Sequence, residues 1–143
     1  MTEPSAQTSQ HVHAPATVAE LMQPAVTTAE QDGHLAAAAY LMRHAGATAL
    51  VVLDTEDDKR PVGVITEADI VRAVADGKDM NDVRIRDAMT RDPTAISATT
   101  SVRDAAESMV AGHFRHLPVV EDGALIGMVD VKDVCRALLE LSV

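Results

Sequence analysis

The chain contains two copies of one sequence pattern, and this repeat constrains the fold more than any other feature. Gly63 and Asp69 in the first copy correspond to Gly127 and Asp133 in the second, 64 residues later. Further matches follow in the same order along the chain: Leu21-Met22 with Ala88-Met89, Pro24 with Pro93, and Val51-Val52 with Val119-Val120. Matches that keep one order along the chain indicate an internal repeat of about 55 residues.

Each copy predicts the same order of elements: helical turn, strand, helix, strand, strand, helix. Apolar residues at helical spacing predict the middle helices, with Leu35, Ala38, Ala39 and Met42 in the first copy and Val102, Ala105, Ala106 and Met109 in the second. Short apolar segments at 49–53, 62–65, 117–120 and 125–129 predict strands. The chain is therefore predicted to be an α/β protein with small mixed sheets flanked by helices.

The predicted domains are residues 16–77 and 82–141, with a helix-stopping segment at 75–79 where the first one ends. Residues 1–15 lack periodicity and are predicted to form a flexible tail. One unit of this size buries too little apolar surface to be stable alone. We therefore expect the two units to cover each other's sheets in a pair with approximate two-fold symmetry.

Composition excludes several classes of protein. The 143 residues carry 22 acidic and 12 basic side chains, a net charge of −10, and only one tyrosine and one phenylalanine. This acidity opposes nucleic-acid binding, and the short apolar runs exclude a membrane span. The absence of a signal-peptide pattern and the single cysteine predict a cytoplasmic protein without disulfides. That residue, Cys135, is expected to be a buried small side chain.

The repeated unit resembles the cystathionine β-synthase (CBS) domain, and the pair resembles a Bateman module. The most specific segments are 117–120 with the following Gly127, and 63–69 with its Gly-x-x-Thr-x-x-Asp pattern. The resemblance covers roughly residues 16–141. It implies a non-enzymatic regulatory module that binds an adenosine-containing nucleotide (AMP, ADP, ATP, NAD or S-adenosylmethionine) between the repeats. It also implies a homodimer and an unknown regulated protein partner.

The Gly63–Asp69 motif has two interpretations. By resemblance, the Thr66 hydroxyl would contact a phosphate at the start of a helix, and Asp69 would accept hydrogen bonds from the ribose hydroxyls. The other interpretation is a capping box, because a threonine followed three residues later by an acidic residue also stabilises a helix N-terminus. Gly63 would allow a close approach of the backbone to a neighbouring group.

The second copy departs from the motif, because Asp130 stands where the first copy has threonine, while Asp133 is retained. A carboxylate close to a phosphate costs on the order of a few kcal/mol unless a cation intervenes. Lys132 or a divalent metal could offset part of that repulsion. The second cleft is predicted to be empty, to bind adenosine without a close phosphate, or to have diverged.

The remaining ligand-contact predictions follow from the resemblance. Thr27, Thr28, Ala49 and Leu50 would contact the base in the first cleft, and Ser97, Leu117 and Pro118 would do so in the second, weaker one. The threonines and the serine are also ordinary strand-end residues, and core packing also explains the others. The basic cluster 113–116 could reach a phosphate across the repeat interface, or could be a solvated turn.

No pattern of catalytic or metal-ligating residues is apparent, and no obligatory cofactor is predicted. The sequence has no Ser–His–Asp order, no Walker-type phosphate loop and no paired catalytic acids. The leading hypothesis is therefore a nucleotide sensor that modulates a partner. The alternative is a ligand-independent dimerisation or partner-docking scaffold.

Overall fold

The computed structural model describes residues 16–24 and 26–141, so the predicted tail lies outside the described residues. The first repeat opens with a 3-10 turn at Val18–Glu20. Its elements are then β1 (Thr28–Glu30), α1 (Leu35–Ala45), β2 (Ala49–Leu53), β3 (Pro61–Thr66) and α2 (Glu67–Ala75). The second repeat contains α3 (Ile85–Ala88), β4 (Thr90–Arg91), α4 (Val102–Gly112), β5 (His116–Glu121), β6 (Ala124–Asp130) and α5 (Val131–Leu141).

The strands form two sheets with the same plan. One has the order β1-β2-β3-β4, in which β1 is parallel to β2 and the other neighbours are antiparallel. The other is the antiparallel pair β5-β6. Single bridges extend this pair on both sides, because Ile96 pairs in parallel with Val119 and Gln23 pairs antiparallel with Met128. The α/β architecture predicted from the repeat is confirmed.

The long helices begin and end where local sequence chemistry dictates. The Ser101 hydroxyl caps α4 by accepting a hydrogen bond from the Asp104 amide at 3.0 Å. Helix α1 ends at Gly46, whose φ of 64° is left-handed and favours glycine. Every buried residue of α1 and α4 is one that helical spacing predicted to face inward. These are Leu35, Ala38, Met42, Val102, Ala105 and Met109.

The opening segment of each repeat packs against the other repeat. Val18 belongs to the same buried cluster as Val102 and Leu117, and its amide donates to the Thr100 carbonyl at 2.9 Å. In the opposite direction, Ile85 belongs to the first-repeat core, and its amide donates to the Gly33 carbonyl at 2.8 Å. The two repeats therefore exchange their first turns and depend on each other for a complete core.

Two glycines make this exchange possible. A Cβ atom on Gly63 would lie 2.4 Å from the sulfur of Met89, and one on Gly127 would lie 2.7 Å from the sulfur of Met22. In both repeats a methionine of the other repeat's opening segment occupies the space where a side chain would be. Here the neighbouring group that the Gly63 backbone approaches is Met89.

The sheet registers correct the sequence alignment of the repeats by one residue. Val52 lies opposite Gly63, and Val119 lies opposite Gly127, so these two valines are equivalent. The alignment of Val51 with Val119 was therefore wrong, because consecutive valines in both strands allow the apolar pattern to shift by one. In the corrected register, residues 45–49 correspond to residues 112–116.

The sheets meet through a small apolar cluster that contains residues of both repeats. Ala49, Val51 and Val64 of the first repeat pack with Met128 of the second. This cluster fixes the two repeats side by side, with the starts of β2 and β5 close together.

Cys135 lies on the outer surface of α5, so the prediction of a buried cysteine was wrong. The inward positions of this helix are taken by Val134 and Ala137. Among the described residues, none of the helices combines the length and the apolarity that crossing a bilayer requires.

Candidate functional site

The larger inter-repeat cavity encloses about 520 Å³ between the start of α2, the start of α5 and the loop before β5. Its wall from the first repeat is mainly polar and carries Thr66, Glu67, Asp69 and Arg72. The facing wall from the second repeat consists of residues 113–116 and 130–132, and the cavity is also lined by Thr48, Thr90 and Thr94. The cavity therefore combines the motif of one repeat with a loop of the other.

The predicted motif residues form a closed hydrogen-bond network at the N-terminus of α2. The Thr66 hydroxyl donates to Oδ2 of Asp69 at 3.0 Å and accepts from the Asp69 amide at 3.3 Å. The Thr66 amide donates to the same Oδ2 at 2.8 Å, and Arg72 donates to Oδ1 at 3.0 Å. The capping-box interpretation is thus realised, with Asp69 only 8% exposed at the cavity edge. A ligand hydroxyl would share these carboxylate oxygens with the cap.

The loop before β5 is shaped by a left-handed residue and a glycine. His113 follows α4 with a φ of 59°, which turns the chain sharply. The phenyl ring of Phe114 then lies over Gly112, where a Cβ atom would be only 2.1 Å from the ring. The space that the ring occupies gives a physical reason for glycine at this position.

His116 joins the two repeats at the base of the cavity. Its Nε2 lies 2.8 Å from the Thr48 hydroxyl of the first repeat and 3.5 Å from Oδ2 of Asp130. Burial lowers the pKa of His116, and the positive charge of Arg115 lowers it further. The negative charges of Asp130 and Glu67 oppose part of this shift. The imidazole is therefore neutral at pH 7, and the contact with Asp130 becomes an ion pair only on protonation.

The cations of the larger cavity differ in how they are held. Arg72 is paired with Asp69. Within residues 16–24 and 26–141, by contrast, Arg115 and Lys132 form no salt bridge with a carboxylate. These two side chains can therefore approach an anionic group without breaking an existing pair.

A smaller cavity of about 190 Å³ lies on the other side of the junction. It is lined by Thr27 and residues 45–49 of the first repeat and by Asp130 of the second. Thr48, His116, Asp130 and Lys132 line both cavities and form the wall between them. Where the larger cavity has phenylalanine, arginine and histidine at 114–116, the smaller has alanine, threonine and alanine at 47–49.

The predicted first-cleft residues do not lie together: some line one of the two cavities, and others lie in the sheet or the core. Thr66 and Asp69 line the larger cavity, whereas Thr27 and Ala49 line the smaller one. Thr28 belongs to β1 and pairs with β2, and Leu50 is fully buried in the first-repeat core. Gly63 lies beneath Met89.

The predicted second-cleft residues are similarly dispersed. Asp130 lies in the shared wall, and its Oδ1 accepts a hydrogen bond from the Lys132 amide at 2.6 Å. Leu117 is a core residue, and Pro118 is buried in β5. The Ser97 hydroxyl lies 2.9 Å from that of Thr99, and Asp133 contacts Gln23 at 3.4 Å.

From the sequence, the basic cluster 113–116 had two interpretations, a phosphate contact or a solvated turn, and Thr48, Thr90 and Thr94 were missed. The basic character of 113–116 was a usable signal. The sequence did not indicate that each cavity takes its motif from one repeat and its loop from the other.

Comparison with known proteins gives a consistent result. A family model for the CBS domain matches residues 18–76 and 85–140. A 17.7 kDa protein of Acidianus ambivalens is 38% identical over 122 residues, which cover 85% of this chain and 68% of that protein. Two longer archaeal relatives also match, and the chain spans 42% and 50% of their lengths.

Solved structures agree with this fold. A CBS domain protein from Pyrobaculum aerophilum, complexed with AMP, matches with a TM-score of 0.81 and 28% identity, covering 88% of this chain and 98% of that one. A structure of CBSX2 in complex with AMP matches with a TM-score of 0.72 and 27% identity, covering 90% and 99%.

Proposed function

The chain belongs to the CBS domain family, with two copies of the domain in tandem, and from that premise we propose that it is a cytoplasmic, non-enzymatic regulatory module. In this proposal the larger inter-repeat cavity binds an adenosine-containing nucleotide of the AMP or ATP class, and the bound nucleotide changes the affinity of the module for a protein partner. No cofactor is required for folding or for this activity.

The observation that carries the proposal is the composition of the two cavity walls. The first-repeat wall offers the carboxylate of Asp69 and the helix N-terminus at Thr66, which suit the hydroxyls and phosphate of a nucleotide. The second-repeat wall offers the ring of Phe114 with Arg115 and Lys132, which suit a base and an anionic group. The AMP held by two similar solved structures supports the same ligand class.

The asymmetry of the cavities supports one principal nucleotide site. In the smaller cavity, Asp130 takes the position of Thr66, and the positions of Phe114 and Arg115 are taken by Ala47 and Thr48. Its volume is also roughly a third of that of the larger cavity. Asp130 and Lys132 line both cavities, so a phosphate in the smaller one would meet the carboxylate and Lys132 without the additional charge of Arg115.

A thermal-shift panel tests the proposal directly. AMP, ADP, ATP, NAD and S-adenosylmethionine are each added to the purified protein, with guanosine monophosphate as the matched control. A ligand that binds only the folded state raises the melting temperature by mass action. We expect a shift with at least one adenosine compound. A panel without any shift would contradict nucleotide sensing.

The second candidate function is a ligand-independent dimerisation or docking scaffold. Large apolar side chains are exposed on four long helices: Tyr40 on α1, Val71 and Val74 on α2, Val110 on α4 and Leu139 on α5, each at least 59% exposed. These positions support a homodimer formed by the outer helix faces. Light scattering that gives a particle of 15.1 kDa at tens of micromolar protein would refute a constitutive dimer.

A further inference from the structure

His116 lies in the wall between the two inter-repeat cavities and contacts both repeats. Its Nε2 atom is 2.8 Å from the Thr48 hydroxyl and 3.5 Å from Oδ2 of Asp130. We propose that His116 couples nucleotide binding in the larger cavity to pH, because its protonation neutralises the Asp130 carboxylate that otherwise repels the ligand phosphate. The inference rests on the proposed function, since it describes the regulation of that same cavity.

The sheet places the imidazole and the carboxylate side by side. His116 lies directly opposite Asp130 in the register of β5 and β6, so the two side chains stand on the same face of the sheet. The side chain of His116 is 12% exposed, and that of Asp130 is 26% exposed. A charge on the imidazole therefore acts on the carboxylate in a place where water screens it only partly.

The charges that surround His116 come from several elements. Asp130 at the end of β6 and Glu67 at the start of α2 are acidic, whereas Arg115 in the loop before β5 and Lys132 in α5 are basic. These acidic and basic side chains balance, so one proton on the imidazole gives this part of the cavity an excess of positive charge. A phosphate that approaches Arg115 and Lys132 would meet that charge in the same wall.

The other groups of the cavity do not provide this balance. Asp69 and Arg72 also line the larger cavity, but they pair with each other. The segment 45–49 contributes a single polar side chain, that of Thr48, which carries no charge. His113 is a second imidazole in the cavity wall, but it is exposed to solvent. It therefore serves as a control.

The direction of the coupling follows from linkage. Burial lowers the pKa of His116, so the imidazole of the free protein is neutral at pH 7. A phosphate bound in the same wall favours the protonated imidazole, and by reciprocity the protonated protein binds the phosphate more tightly. Nucleotide affinity should therefore increase as the pH falls below about 6.5, the ordinary imidazole pKa.

Calorimetry of AMP binding at about pH 7.5 and about pH 5.5 tests the coupling. Wild type is compared with His116→Gln, whose amide is polar but carries no charge at either pH. The AMP phosphate itself takes up a proton in this range, equally for both proteins. On acidification, we expect wild type to gain about threefold or more in AMP affinity relative to His116→Gln. An equal pH response in the two proteins would overturn the coupling.

Adenosine and His113→Gln provide the controls. Because adenosine lacks a phosphate, its affinity should respond to pH equally in wild type and His116→Gln. His113→Gln removes the exposed imidazole of the same wall and should keep the wild-type response to AMP. If His113→Gln abolishes the response as completely as His116→Gln does, the assignment to His116 is wrong.

Asp130→Asn tests the charge that His116 is proposed to neutralise, and it decides the question if His116→Gln does not fold. At about pH 7.5 this variant should bind AMP about threefold or more tightly than wild type. An unchanged affinity would refute the coupling.

Failure of the coupling differs from failure of the proposed function. If wild type binds AMP with the pH response of His116→Gln, the role of His116 is refuted and the nucleotide site stands. If wild type binds none of the adenosine compounds at either pH, the proposed function is refuted, and the coupling with it.

Discussion

Asp69 has two functions that a single substitution removes together. It closes the cap of α2, and in the proposed site it would accept hydrogen bonds from a ribose. We predict that Asp69→Ala lowers nucleotide affinity about tenfold or more, because a hydrogen bond to a charged acceptor contributes roughly 1.5–3 kcal/mol. The variant should also lose about 1 kcal/mol of folding free energy with the cap. Calorimetry and urea denaturation measure the two effects separately.

Asp133 provides the matched control for Asp69. It occupies the equivalent position in the second repeat, contacts Gln23 and Arg136, and lines neither inter-repeat cavity. Asp133→Ala should therefore reduce stability and leave nucleotide affinity unchanged. If the two variants lose affinity equally, the assignment of Asp69 to the ligand site is wrong.

His116 makes the folding stability depend on pH. Because burial lowers its pKa in the folded state, the unfolded chain binds a proton more readily at mildly acidic pH. The contribution of neutral His116 to the free energy of unfolding is complete above about pH 6.5, the ordinary imidazole pKa. It decreases as the pH falls through that value toward the lower pKa of the folded state. His116→Gln should flatten this part of the stability curve.

Urea denaturation between pH 5 and 8 measures the effect. His113→Gln removes an exposed imidazole from the same loop and shows how much of the change follows from the loss of any histidine. If His116→Gln and His113→Gln change the pH dependence of stability equally, the role of His116 is contradicted.

At the scale of the element, the exchanged segments depend on glycine. Gly63→Ala would place a methyl group 2.4 Å from the Met89 sulfur and 3.0 Å from the Thr90 carbonyl oxygen. We predict a loss of about 1–3 kcal/mol in the free energy of unfolding, typical of overpacking. Combining it with Met89→Ala should remove part of the steric conflict, and a double-mutant cycle measures the coupling.

Gly33 is the matched control for Gly63 in the same repeat. A methyl group there would lie 3.3 Å from the end of the Ile85 side chain, so Gly33→Ala should cost less. Equal losses for the two substitutions would show that the close contact with Met89 is not the cause.

The elements themselves were predictable, because their signals are local. Strand β2 was predicted at 49–53 and has those bounds, while β3 and β6 each extend one residue beyond their predictions at both ends. The exception is the first strand of the second repeat, because Ile96 forms only a single bridge to Val119. A two-residue strand earlier in the second repeat, β4, pairs instead with β3 of the first repeat.

The site was less predictable than the elements, because its walls come from different repeats. Thr66 and Asp69 share one helix N-terminus, so their proximity follows from spacing alone. Thr27 and Ala49 are separated from them by the way the two sheets pack around Met128. Met128 lies more than 70 residues after Thr27 and Ala49 in the sequence. An alignment of the two repeats cannot show which repeat supplies the loop that faces each motif, because the copies align equally well in either case.

At the scale of the whole molecule, the unequal cavities predict one nucleotide per chain. Asp130 lines both cavities, but Arg115, which can offset its repulsion of a phosphate, lines only the larger one, so the repulsion is stronger in the smaller cavity. Calorimetry should give a stoichiometry of one. Thr66→Asp should weaken nucleotide binding more than adenosine binding, and Asp130→Thr should permit or strengthen a phosphate-bearing ligand in the smaller cavity.

Magnesium supplies the control for this stoichiometry. Two equivalent nucleotides per wild-type chain without added metal would contradict the prediction. A second nucleotide that appears only with magnesium would instead identify Asp130 as the ligand of a bridging cation.

The exchanged opening segments also bear on what would happen if the chain were divided. A cut between the repeats would give two fragments, each of which carries the turn that completes the other's core, with Val18 on one and Ile85 on the other. Each fragment is then a binding partner of its counterpart. Folding, which is intramolecular in the intact chain, would become a bimolecular reaction whose extent rises with fragment concentration.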